Sequence, residues 1–158
     1  MSKILVAYFS ASGETARLAA TLAGVTGGEL FEICPEKRYS AADLNWQDKN
    51  SRSSLEMADK TSRPAIASHV ADMAQYDTVY IGFPIWWYEA PRIIETFLES
   101  YDFSGKTIIP FATSGGSGMG KTDEILKASC SAQTHWRAGK RLSSTASAET
   151  VKAWVEAL

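Results

Sequence analysis

Three hydroxyls, Ser10, Ser12 and Thr15, fall within six residues around Gly13, directly after an apolar run from Ile4 to Phe9. A helical pattern begins just beyond them. The first amides of a helix have no internal partner, and the helix dipole makes that end positive. Gly13 permits a tight backbone curve, and each hydroxyl can donate a hydrogen bond. The turn Ser10-Ala11-Ser12-Gly13-Glu14-Thr15 therefore reads as an anion cradle, for which phosphate is the obvious guest. An ordinary capped helix, with Ser12 as N-cap and Thr15 uninvolved, would carry the same residues.

Two further stretches have residue types suited to a ligand. Pro84-Ile85-Trp86-Trp87-Tyr88-Glu89 puts three aromatics in a row after an apolar strand, and neighbouring residues cannot all face inward. At least one ring must line a surface or stack on a flat heteroaromatic; one Trp in the core and another on a partner subunit is the competing explanation. Thr113-Ser114-Gly115-Gly116-Ser117-Gly118-Met119-Gly120 lets backbone amides approach a ligand closely, or serves as a flexible connection.

These stretches need a frame that brings them together. Ile4–Phe9 suits a strand buried on both faces. Ala16, Ala19, Ala20 and Ala23, with Leu18 and Leu22, give a helix that Gly24 and the pair Gly27-Gly28 should stop. Residues 29–33 form a second strand. Residues 35–64 are polar with no sustained period, a long irregular insertion. After Pro64, the spacing of Ile66, Val70 and Met73 predicts a helix. A third strand covers 78–83, a helix opens at Pro91, and a fourth strand covers 106–114, where Pro110 argues against a central position. A helix near 121–129, a strand near 136–142 and a last helix N-capped by Ser147 complete the chain. Strands alternating with helices imply right-handed crossovers and a parallel sheet covered on both faces. In such a sheet the turns leaving the strands share one edge, so the hydroxyl turn, the aromatics and the glycines would meet around a phosphorylated flat ring.

With those loops in place, the chain resembles the flavodoxin family. "SASGET" is similar to that family's phosphate loop, and "PIWWYEAP" and "ATSGG" resemble its two ring-holding loops. The resemblance implies a flavodoxin-like three-layer α/β/α sandwich, with a five-stranded parallel sheet of order 2-1-3-4-5, in one domain spanning residues 1–158. It also implies non-covalent FMN and an electron-transfer role of one or two electrons. Ser10, Ala11, Ser12, Gly13, Glu14 and Thr15 would hold the phosphate. Pro84, Ile85, Trp86 and Trp87 would lie along the ring. Thr113, Ser114, Gly115 and Gly116 would serve the pyrimidine edge and ribityl chain. No catalytic residue is implied, because the cofactor carries the chemistry. The chain departs from many flavodoxins in three ways. Glu14 sits beside the expected dianion, with Arg17 one turn on; the acidity is mild; and the third loop has Ser and Gly where a stacking aromatic is common. An open ring face would suit an FMN-dependent NAD(P)H oxidoreductase acting on a quinone or nitro compound.

Two other readings compete. Residues 115–122 fit G-x-x-x-x-G-K-T, the phosphate loop of nucleotide hydrolases, although no later strand ends in an Asp for Mg²⁺. A flavodoxin-like interaction module without cofactor is the other.

Composition narrows the field. The chain has 158 residues, 45% hydrophobic and 22% charged, with net charge −2 and no basic tract for nucleic acid. Cys34 and Cys130 are isolated, which predicts inert packing thiols and a reducing, cytoplasmic setting. No apolar stretch is long enough for a signal peptide or a membrane span. His69 and His135 have no metal-ligand spacing, and His69 is expected on a helix surface. Tyr39 and Trp46 stand among polar neighbours, either pinning the insertion to the body or covering the flavin or a partner. Redox partner proteins or a small electron acceptor are the expected partners, with a monomer or weak homodimer as the assembly.

Overall fold

The computed structural model describes residues 3–114 and 118–158. The central sheet has strands β1 (Lys3–Tyr8), β2 (Glu29–Glu32), β3 (Tyr76–Pro84), β4 (Thr107–Thr113), β5 (His135–Trp136) and β6 (Lys140–Arg141). Its order is β2-β1-β3-β4-β5, with β6 also beside β4, and every pairing is parallel. Side chains alternate across the pleat, so the two faces bury different residues. Leu5, Ala7, Val79, Ile81 and Phe83 face one layer, which includes α3 (Arg92–Glu99) and α4 (Thr122–Lys127). Val6, Tyr80, Ile109 and Phe111 face the other, against α1 (Glu14–Thr26) and α5 (Ala148–Ala157). The three-layer α/β/α sandwich and its strand order are those expected.

The helix ends follow from their residues. α1 runs through Gly24 and stops only at Gly27, whose φ of 74° gives the left-handed cap. Of the expected stops, the Gly27-Gly28 pair ends the helix and Gly24 does not: a lone glycine lowers helix propensity without ending a helix whose apolar face is buried. Pro91 caps α3, and the Ser147 side chain accepts from the Thr150 amide at the start of α5, as expected.

Three expectations are corrected. No helix follows Pro64. Residues 65–68 instead run beside the exit of β2: Ile66 bridges Pro35 in antiparallel fashion, Glu36 N donates to Ala65 O, and Ala67 N donates to Cys34 O. Ser68 Oγ accepts from Cys34 N and donates to Glu32 O. Ile66, Val70 and Met73 still pack on the core, so the stripe correctly marks burial but not conformation. The edge strand β2 needed partners, and an extended segment satisfies it where a helix could not. His69 is exposed as expected, but on this extended segment.

Second, the insertion is not wholly irregular. It contains α2 (Arg52–Ala58), N-capped by Ser51. Third, the strand expected over 136–142 is broken into β5 and β6. The break lies opposite Pro110, which sits inside β4 in register with Ile81 of β3. The carbonyls of Lys106, Ile108 and Ala112 accept from the β5–β6 side, so Pro110 turns its missing N–H to that side. The neighbour leaves the ladder where nothing could donate to it. Gly139 lies in the gap, where a Cβ would come within 3.0 Å of Pro110 Cβ.

Candidate functional site

The loops leaving β1, β3 and β4 meet at one edge of the sheet and are tied to one another. Phe9 N donates to Gly82 O at 2.9 Å, and Ile85 N donates to Thr113 O at 2.9 Å. Thr15 Oγ1 and Thr113 Oγ1 lie 2.7 Å apart, both buried, joining the first loop to the end of β4 across β3. Thr122 Oγ1 donates to Tyr88 O at 3.2 Å, which ties the aromatic turn to the start of α4.

In the first loop Gly13 is the N-cap of α1, at φ 90°, with no side chain capping through it. Only glycine adopts that angle without strain. Ser12 is exposed and is not the cap. Ser10 Oγ instead accepts from the amides of Gly13 and Ala16, each at 3.1 Å. Its proton remains free to donate outward. Among the described residues nothing accepts from the amides of Ser12, Glu14 and Thr15. The Thr15–Thr113 pair has two hydroxyl protons and uses one internally, so it also retains a donor. This donor-only rim at the positive end of a thirteen-residue helix suits a multiply charged anion. Glu14 and Arg17 are exposed, so the Glu14 carboxylate is free to stay in solvent. Ala11 is half-buried against the core.

The aromatic loop divides its rings. Trp86 is half-buried, edge-on to Phe9 at 5.8 Å and to Tyr39 at 5.5 Å. Trp87 and Tyr88 are turned out, 43% and 70% exposed. Trp86 N donates to Glu89 O at 2.8 Å and Glu89 N donates back to Trp86 O at 3.0 Å, closing a tight turn. Trp87 and Tyr88 occupy its centre at φ 48° and 65°. Asn-Gly is the usual occupant of such a turn; two bulky residues there cost on the order of 1–3 kcal/mol each. Backbone strain of this size is typically retained at ligand sites. Pro84 ends β3, and Ile85 and Trp86 pack on the core.

In the third loop, Thr113 is buried and Ser114 half-buried; Gly115 and Gly116 lie outside the described residues. The nucleotide-hydrolase pattern 115–122 begins outside them too. Its Thr122 is buried with its hydroxyl spent on Tyr88 O, Lys121 is exposed, and the helix that follows has six residues.

Sequence reasoning passed over Arg92, which is 1% exposed. Its guanidinium meets Glu89 at 2.9 Å and Glu95 at 3.1 Å, and donates to Met57 O at 2.8 Å and Glu56 O at 3.4 Å. It thus clamps the insertion to the end of the aromatic loop. An arginine in the first turn of a helix carries no sequence signal for that role. Tyr39 pins the insertion from the other side by its ring, edge-on to Phe9 and to Trp86, each at 5.5 Å; within the insertion its hydroxyl donates to Glu56 at 2.5 Å and the Arg52 guanidinium lies 3.8 Å over its ring. Burial, then the hydrogen bond to Glu56 and its charge, hold the Tyr39 phenol well above its ordinary pKa. Trp46 is 68% exposed and lines, with Trp87, a cavity of about 510 Å³ to which Leu44, Ser53, Ile85 and Trp86 also contribute. Among the described residues there is no metal-ligand cluster and no helix long and apolar enough to cross a membrane.

Similarity to known proteins agrees with this arrangement. The chain is 54% identical to a candidate flavoprotein from Bacteroides uniformis ATCC 8492, with TM-score 0.93 and 98% of each chain covered. A candidate flavoprotein from Bacteroides eggerthii DSM 20697 is 48% identical, at TM-score 0.93, covering 99% of this chain and 98% of that one. A flavoprotein from Lactobacillus acidophilus NCFM, solved in complex with FMN, shares the fold at 23% identity and TM-score 0.70, over 89% of this chain and 93% of its own. No curated protein matches. The family model for flavodoxin matches residues 3–158, from the first strand through the last helix, and the chain belongs to the flavodoxin family.

Proposed function

We propose that this protein binds FMN without a covalent link and serves as an electron-transfer protein. When bound, FMN supplies the redox chemistry, taking up and releasing one or two electrons. The chain's own part is to hold and orient it. The amides and hydroxyls of Ser10–Thr15 would take the phosphate, and Pro84, Ile85, Trp86 and Trp87 would lie along the ring. Thr113 and Ser114, with Gly115 and Gly116, would serve the ring edge and ribityl chain. The observation that carries this reading is the row of amides at Ser12, Glu14 and Thr15 without acceptors among the described residues, beside hydroxyls with protons to spare. The FMN complex of the Lactobacillus acidophilus relative supports the choice of flavin.

Purified protein is expected to be yellow, with an absorption band at about 450 nm. Because the cradle is built for a phosphate, FMN should bind at least about tenfold more tightly than riboflavin. Equal affinities would remove the phosphate site, and no binding of either would remove the function.

A second reading, an FMN-dependent NAD(P)H oxidoreductase, is favoured by the open cavity beside Trp86 and Trp87 and by a net charge of only −2. A weak field steers basic protein partners poorly. Prompt oxidation of NADPH with a quinone and no added protein would select it; a requirement for a partner protein would select the carrier.

A further inference from the structure

Beyond the cavity that adjoins the aromatic loop lies a second one, of about 760 Å³. The insertion builds nearly all of it: Trp46, Gln47, Lys49, Ser54 and Met57 line it, and Trp87 is the lining residue from the aromatic loop. Trp46 and Trp87 line both cavities, one indole from the insertion and one from the strained turn. Neither ring is spent on the core, and both are substantially exposed. The walls are fixed in advance. Arg92 holds the carbonyls of Glu56 and Met57, and Ser51 caps α2. Ser54 Oγ donates to Asp48 O at 2.7 Å, tying the loop that carries Trp46 and Lys49 to the same helix. Of the residues that line the cavity, Lys49 brings the charge. Among the described residues it makes no ion pair, although Arg52, Arg63 and Arg92 nearby all do.

We propose that this second cavity is a binding site for a planar aromatic acid, its ring held at Trp46 and Trp87 and its carboxylate on Lys49. Two indoles from separate segments offer flat surfaces to a ring, and an unpaired ammonium at the rim of an apolar slot selects an anion. The volume is in the range of small-molecule sites, well above that of a single solvent molecule. Such a ligand would lie on the opposite side of Trp87 from the expected flavin ring. That redox consequence rests on the proposed function; the binding itself does not.

The test is calorimetric titration of the full chain with 2-naphthoate and with its neutral counterpart 2-naphthamide, with FMN affinity measured in parallel. Saturable binding is expected for both, tighter for naphthoate. Lys49→Met should weaken naphthoate about threefold while leaving naphthamide unchanged. Trp46→Ala should weaken both about tenfold. Neither residue is in the core, so folding should survive either change. The proposal is overturned by no saturable binding at millimolar probe, by equal naphthoate affinity in wild type and Lys49→Met, or by naphthoate competing with FMN for one site. A protein that binds FMN but not naphthoate defeats this inference alone. One that binds naphthoate but not FMN defeats the proposed function alone.

Discussion

The hydroxyl pair of Thr15 and Thr113 links residues 98 positions apart and is shielded from water. Its energetics depend on which partner is removed. Thr15→Val alone strands the Thr113 hydroxyl, and Thr113→Val alone strands Thr15. Each should destabilise the fold by about 1–3 kcal/mol, because a buried hydroxyl loses its only partner without regaining water. The double change removes both polar groups in nearly the same shape. It should cost clearly less than the sum, a non-additivity that urea unfolding of the four proteins would reveal. Simple additivity would mean the two hydroxyls do not depend on each other. Thr15 was readable from sequence as part of a hydroxyl turn, and so was the placement of Gly13. The role of Ser10 as the acceptor for the first helical amides was not, because Ser12 has the better local position for an N-cap. The aromatics were legible as a class: one ring had to face outward, and the structure turns out both Trp87 and Tyr88. Nothing in the local sequence marks those two residues as the centre of a tight turn, since bulky residues are disfavoured there.

The insertion is the element whose form the sequence hid. Its polar composition hides α2, a seven-residue helix too short to show a period, and tertiary clamps rather than propensity hold it. Arg92 is the main clamp. Replacing it with Ala leaves Glu95 with Arg63, at 3.3 Å, as its remaining cation, and frees two carbonyls of α2. The loss should be about 1–3 kcal/mol, the range for leaving buried acceptors without their donor. It should also release the insertion locally, so that limited proteolysis of Arg92→Ala cuts first within residues 40–60. Uniform loss of stability with no preferred cut would show that the insertion does not depend on this clamp. The regular elements were easier to read. Buried parallel strands give continuous apolar runs, and α1, α3 and α5 give stripes. The false helix after Pro64 has a stripe as well. There the pattern reported which side chains are buried, and the demand of the β2 edge for hydrogen bonds decided the backbone. Pro110 was read as an argument against a central strand; the sheet keeps it there by breaking its neighbour instead.

At the scale of the molecule, the alternation of strands and helices was enough to specify a parallel sheet with its loops on one edge, and the family resemblance supplied the strand order. Two phenol–carboxylate pairs, Tyr39 with Glu56 inside the insertion and Tyr76 with Glu29 between β3 and β2, make a claim about pH. Tyr39 is kept protonated by burial and by its bond to the Glu56 carboxylate. Tyr76, buried and bonded to Glu29, is pushed up to about 12. In the unfolded chain both phenols ionise near pH ~10. Above that pH the unfolded state binds fewer protons than the native state, so stability must fall as pH rises. Below it the contribution is complete and flat. Each tyrosine can add a slope of at most about 1.4 kcal/mol per pH unit. Cys130, pushed up to about 11 by burial and Glu99, adds the same sign from a lower pH, so the tyrosine contribution has to be isolated by difference. Tyr39→Phe does this. It should lower stability near neutrality by about 1 kcal/mol, through loss of the hydrogen bond to Glu56. It should also flatten the decline above pH ~10, so that the two stability curves converge or cross. Urea midpoints measured from about pH 7 to 12 for both proteins would decide it. Curves that stay parallel throughout would mean the Tyr39 proton is not held by the fold, and that its contact with Glu56 does not hold the insertion together.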